Sequence, residues 1–255
     1  MSSNIWTRCA GDSELRPLRL SPWRVVEAQH QVSTRKLVDS ADEQVLLEEL
    51  IERVKPPETT GGRLHYLLFT PFRYPPLRYG SRFGARHERG VWYGSEHRRT
   101  AFAEVAYYRL LFLEGTRAAL GAVTTQLTAF TVRVRSAKGV DLVSPPFDAH
   151  RKAIASPSRY ASTQALGAAM REAGVELFRY PSARDVGREG DVGVNVGAFS
   201  PAVFGSAKPH GFETWHCTAE REKVELTKGD FFKRETYAFS REQFLVGGTL
   251  PAPAL

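Results

Sequence analysis

The chain has 255 residues, of which 42% are hydrophobic and 25% charged, and its net charge is +7. That balance suits a soluble globular fold and excludes a disordered chain, a collagen-like repeat and a small disulfide scaffold. The two cysteines, Cys9 and Cys217, form no CxxC pair, which argues against a thiolate zinc site and for a reducing compartment. Apolar runs such as Leu110–Leu113 are too short to span a bilayer. The N-terminus has acidic residues and no apolar signal core, so the expected location is the cytoplasm.

In chain order, residues 1–36 have little periodicity and read as extended or irregular. Residues 41–54 predict a helix. Ser40 and Glu43 have capping-box spacing, Val45, Leu46, Leu50 and Val54 recur at helical intervals, and Pro56-Pro57 stops the run. Glu58–Gly62 reads as a linker, Arg63–Thr70 as a strand and Phe72–Gly84 as a proline-broken loop. A short strand is expected at Val91–Gly94 and a long helix at Thr100–Leu113. Gln126–Arg135 alternates as a strand does, and Val140–Val143 is a second strand stopped by Pro145-Pro146. A helix over Ser162–Ala173 ends at Gly174 and feeds a strand in VELFRYPS. Asp191–Phe199 reads as loop then strand, and residues 212–246 as antiparallel hairpins. The expected class is α+β, with residues 1–58 an N-terminal extension holding one helix and residues 59–250 the main domain.

Charge is concentrated. Between Arg63 and Arg109 lie nine arginines, no lysine, no aspartate and three glutamates, Glu88, Glu96 and Glu104, which accounts for nearly all of the +7. Arginine without lysine favours bidentate recognition of phosphate or carboxylate; a solvated basic face is the plainer alternative. The Walker, Rossmann, GxSxG and HExxH motifs are all absent, and the seven histidines show no metal-ligand spacing. Chemistry here therefore has to come from arginine, tyrosine, glutamate and serine.

Four pieces offer those residues. Phe72-Arg73-Tyr74-Pro75 followed by Gly80-Ser81-Arg82-Phe83-Gly84 brackets a stiff loop with two arginines, which can clamp a diphosphate or pin loop carbonyls. Val91-Trp92-Tyr93-Gly94-Ser95 precedes a helix in which Glu104 sits among Ala, Phe and Val, either as a functional carboxylate or paired with Arg99 or Arg109. Tyr160–Gly167 places Ser162 at a helix start, as an N-cap or part of an anion site. Phe178–Ser182 leads on to Asn195, which can orient a substrate or simply complete a turn.

The order FRYP, GSRFG, VWYGS, AFAEV, STQALG and RYPS resembles the RES-domain family, the toxin halves of RES–Xre toxin–antitoxin pairs. The resemblance runs from about Arg63 to Phe199. It implies an ADP-ribosyltransferase-like RES fold with short mixed or antiparallel sheets flanked by helices, acting on NAD as substrate, with an Xre-type antitoxin as partner. Position by position it assigns catalysis to Glu104, Arg73 and Ser162. NAD binding falls to Arg73, Tyr74, Arg82, Tyr93 and Ser162, with Asn195 a further candidate from the strand that follows. Two features depart from the family pattern. Phe83-Gly84 stands where the family often has tryptophan-asparagine, and the segments before residue 59 and after 205 match nothing in it. The acceptor of ADP-ribose, whether protein, water or phosphate, stays open. The alternative is a nucleic-acid-binding module built on the 63–109 arginine cluster, although no RRM or helix-turn-helix signature accompanies it.

Overall fold

The computed structural model describes residues 4–28, 37–56, 62–74, 79–186, 192–229 and 234–253. Ten strands form one sheet in the order β1-β5-β6-β7-β3-β2-β4-β8-β9-β10. They are β1 (Arg16–Leu20), β2 (Trp23–Glu27), β3 (Trp92–Ser95), β4 (Val123–Thr131), β5 (Val134–Asp141), β6 (Leu177–Val186), β7 (Val192–Ala198), β8 (His210–Ala219), β9 (Lys223–Gly229) and β10 (Arg234–Ser240). Every pair is antiparallel except β5 with β6. The α+β class is as expected, but a single large mixed sheet replaces several short ones.

The sheet has a weak seam. β2 pairs with β4 over five residues, yet meets β3 through one pair only, Trp23 with Ser95. On one side lie β1, β5, β6, β7 and β3; on the other lie β2, β4, β8, β9 and β10. Five connections cross this seam: β1 to β2, β2 to β3, β3 to β4, β4 to β5 and β7 to β8. The one from β4 to β5 explains a correction. Gln126–Arg135 is not one strand, because the chain leaves β4 at Thr131 and joins the opposite half at Val134.

The N-terminal segment is more ordered than expected. Residues 16–27, read as extended or irregular, supply two strands to the sheet, and Ile5–Arg8 forms a short helix α1. Alternation is weak there because β1 is mostly exposed and β2 is evenly half-covered over most of its length. Helix α2 (Ala41–Val54) has the expected bounds, and its Ser40–Glu43 capping box is formed. The expected strand at Arg63–Thr70 is instead helix α3 (Tyr66–Arg73), capped by His65 Nδ1 accepting from the Leu67 N–H at 3.3 Å. Leu67, Leu68 and Phe72 share its buried face, a spacing that a four-residue apolar run does not reveal. Most of the expected Glu58–Gly62 linker and part of the Phe72–Gly84 loop lie outside the described residues.

Helix α4 (Arg98–Gly115) crosses the seam and contacts β2, β6, β9 and β10. Its Phe102, Ala106, Tyr107 and Leu110 join Trp215, Leu226 and Phe239 in one core cluster. A second cluster unites α1, α6 (Ala161–Glu172) and β6 around Phe83 and Phe178, after a four-residue helix α5 (Arg151–Ile154). Gly167 of α6 is required by this packing, since a Cβ there would lie 2.3 Å from the Phe83 carbonyl oxygen. Among the described residues no helix is long and apolar enough to cross a membrane.

Candidate active site

A cavity of about 480 Å³ opens at the seam. β2 contributes Trp23, Arg24 and Val25, and β3 contributes Tyr93, Gly94 and Ser95. Ala101, Glu104, Val105 and Tyr108 reach it from one face of α4, at the 3–4 residue spacing that aligns side chains along a helix. The turn at residues 79–82 forms the facing wall, joined by Tyr160, Tyr180 and Asn195.

Glu104 is the centre of a fixed polar network. Its Oε1 accepts from Ser182 Oγ at 2.8 Å and from Asn195 Nδ2 at 2.6 Å. Ser182 Oγ is itself held by the backbone N–H groups of Arg184 and Asp185, at 3.0 and 3.1 Å. Ser95 Oγ donates to Asn195 Oδ1 at 2.6 Å, which fixes the amide with its nitrogen toward Glu104. Ser95, Ser182 and Asn195 are all buried. The carboxylate thus has a set orientation at the cavity wall, with both donors on one oxygen.

Tyr93 holds the turn rather than offering its hydroxyl. The oxygen sits 2.9 Å from Ser81 Oγ and accepts from the Phe83 N–H at 3.1 Å. Burial pushes its ionisation up to about 12. Gln164 of α6 secures the same turn by donating to the carbonyls of Tyr79 and Ser81, at 3.0 and 3.1 Å. Gly80 allows this approach at φ +71°.

Two arginines face the cavity. Arg82 donates through Nη1 to the Ile154 and Ser156 carbonyls, at 3.1 and 2.7 Å, and lies 4.7 Å over the Tyr160 ring. Carbonyl pinning and a place in the cavity therefore both hold for it. Arg24 donates through Nη1 to the Tyr93 carbonyl at 2.8 Å, while its Nε is buried without a partner among the described residues. Burial lowers its ionisation to about 10, which leaves it cationic at neutral pH.

Of the residues singled out in the sequence, Arg82, Tyr93, Glu104 and Asn195 converge here. Three do not. Arg73 turns toward α2, pairing with Glu52 at 3.0 Å and donating through Nε to the Pro56 carbonyl. Tyr74 stacks beside it and lines no part of the cavity. Ser162 is exposed in the first turn of α6, where Tyr160 rather than Ser162 occupies the N-cap. The serine at the carboxylate is Ser182, already inside the RYPS motif but given no role from sequence. Arg24 left no signal, because its strand was not legible.

The proposed pairing of Glu104 with Arg99 or Arg109 is replaced by other contacts. Arg99 pairs with Asp185 and Arg109 with Glu27. Arg98 pairs with Glu213 and Glu235. Four of the nine arginines in the stretch, Arg73, Arg98, Arg99 and Arg109, thus enter ion pairs in different parts of the fold, and Arg82 binds carbonyls; Arg78 lies outside the described residues. No group of three or more histidine, cysteine, aspartate or glutamate residues with metal-binding geometry occurs among the described residues.

A family model described as the RES domain matches residues 53–220, more than half of the chain. No curated protein matches it.

Proposed function

The chain belongs to the RES-domain family, and from that premise we propose that it cleaves NAD at the nicotinamide–ribose bond through an ADP-ribosyltransferase-like site. The observation that carries this reading is the Glu104 carboxylate, held by Ser182 and Asn195 on the wall of an arginine-bearing cavity. Loss of nicotinamide builds positive charge on the ribose, as glycoside cleavage does. A carboxylate already oriented before reaction stabilises that charge without rearranging in the transition state. Arg24 and Arg82 supply the cationic wall suited to a diphosphate. Tyr79, Tyr108 and Tyr160 offer ring surfaces for stacking. At about 480 Å³ the cavity falls in the range of small-molecule sites.

ADP-ribose then passes to water, to phosphate or to a protein side chain. In a cell such an activity depletes or diverts NAD, consistent with a toxin that an Xre-type antitoxin restrains. The test is nicotinamide release by purified protein, with and without phosphate, and with Glu104→Gln as control. Release lost in the variant supports the assignment, and a phosphate requirement identifies phosphorolysis. Label from adenine-labelled NAD that stays on a lysate protein identifies a transferase. Absence of both release and labelling in every condition overturns the reading.

A further inference from the structure

Helix α2 is built as an amphipathic helix and, among the described residues, is left largely uncovered. Val45, Leu46, Leu50 and Val54 are 58%, 55%, 48% and 83% exposed, and no residue of the helix is buried. Gln44, Leu47 and Ile51, on the side nearer the body, are only half-covered. A 14-residue helix is marginal in water by itself and ordinarily draws its stability from packing its apolar face. Here the capping box, the Lys55–Glu52 pair and the Arg73–Glu52 pair help to hold it, while Val45, Leu46, Leu50 and Val54 stay largely exposed. The stripe also lies almost wholly ahead of the RES match, which begins at residue 53.

Charge selects what can cover it. α2 carries five carboxylates, Asp42, Glu43, Glu48, Glu49 and Glu52; Glu52 pairs with Lys55 and Arg73 and Glu49 with Arg53, so Asp42, Glu43 and Glu48 have no ion pair among the described residues, in a chain whose net charge is +7. A second α2 would set these three carboxylates against three, and like charges across an interface oppose association. An anionic lipid surface meets the same repulsion. We propose that the outer face of α2 is a docking surface for a partner protein that presents an apolar ridge flanked by lysine or arginine. Leu46 and Leu50 form its apolar centre and the carboxylates its rim, the helix-in-groove mode of recognition.

The probe is a synthetic amphipathic peptide of leucine at helical spacing and lysine elsewhere, with a glutamate-for-lysine twin. Binding to the full chain is read by fluorescence anisotropy, and oligomeric state by light scattering. The expected result is binding of the lysine peptide, weakened by salt, and none of the glutamate twin. Leu46→Gln with Leu50→Gln keeps every charge and weakens binding at least about tenfold. Both side chains are exposed, so an unchanged melting temperature confirms that the variant folds. Undiminished binding in the variant overturns the proposal, since charge alone would then be responsible. Absence of binding to the lysine peptide overturns it as well. So does a dimer that the double variant abolishes, which would assign the face to a second copy.

Discussion

Helices α2 and α4 differ in a way their sequences invert. α2 has the cleaner separation of apolar and charged residues, yet buries nothing. α4 mixes them, with Arg98, Arg99, Glu104 and Arg109 spread around its circumference, yet buries eight residues. The reason is position. α4 lies across the seam where β2 and β3 part, with sheet and strand ends on several sides, so apolar positions all around it find partners. Its polar residues are absorbed individually: Arg98 by Glu213 and Glu235, Glu104 by Ser182 and Asn195. Among the described residues α2 has no such surroundings, and it keeps most of its pattern facing outward.

The contrast can be broken first at α4. Phe102 lies 4.7 Å from Trp215 and 5.1 Å from Tyr237, ring to ring, and is fully buried. Phe102→Ala should cost about 3–5 kcal/mol, read as a large fall in melting temperature. Glu104→Gln tests the polar side of the same helix. Nicotinamide release should fall about 10²–10³-fold, the scale of losing one electrostatic stabiliser, with the melting temperature nearly unchanged.

Alkaline titration probes the turn facing α4. Burial raises Tyr93 from 10.0 to about 12, so the fold favours its neutral hydroxyl. Stability from this group is fully present below pH 10 and is lost as pH rises through about 12. Denaturant midpoints taken across that window should decline, and Tyr93→Phe should flatten the decline.

At α2 the effects shrink and become local. Ser40→Ala removes the cap and should cost the helix about 1 kcal/mol. Faster amide exchange confined to residues 41–54 would show it, with the global melting temperature unmoved. Leu50→Ala should stay within about 0.5 kcal/mol of the parent, a small fraction of the Phe102→Ala cost. A large loss there would mean that α2 is covered in the isolated chain.

Much of the element list was legible because local rules decide it. The Ser40–Glu43 box, the α4 span, the Gly174 stop at φ +75° and the C-terminal hairpins all follow from caps, periodicity and turn residues. α3 was misread because a short apolar run suits helix and strand equally. β1 and β2 were missed because each is five residues long, β1 mostly exposed and β2 evenly half-covered, so neither shows a clear two-sided pattern. Their pairing is set by partners more than a hundred residues away, such as Arg24 opposite Phe130.

The site divided in the same way. Glu104 and Tyr93 could be picked out because a carboxylate in an apolar helix and a tyrosine at a strand end stand out in one dimension. By itself the sequence determined the class of fold, the family resemblance and the carboxylate. Only the tertiary structure decided which residues surround it. Arg24 arrives from a strand 80 residues earlier and Ser182 from one 78 residues later. Arg73, close to the cavity turn in sequence, is drawn away by Glu52 and the Pro56 carbonyl. Sheet order sets these meetings, and it depends on long-range pairing and burial that no local spacing encodes.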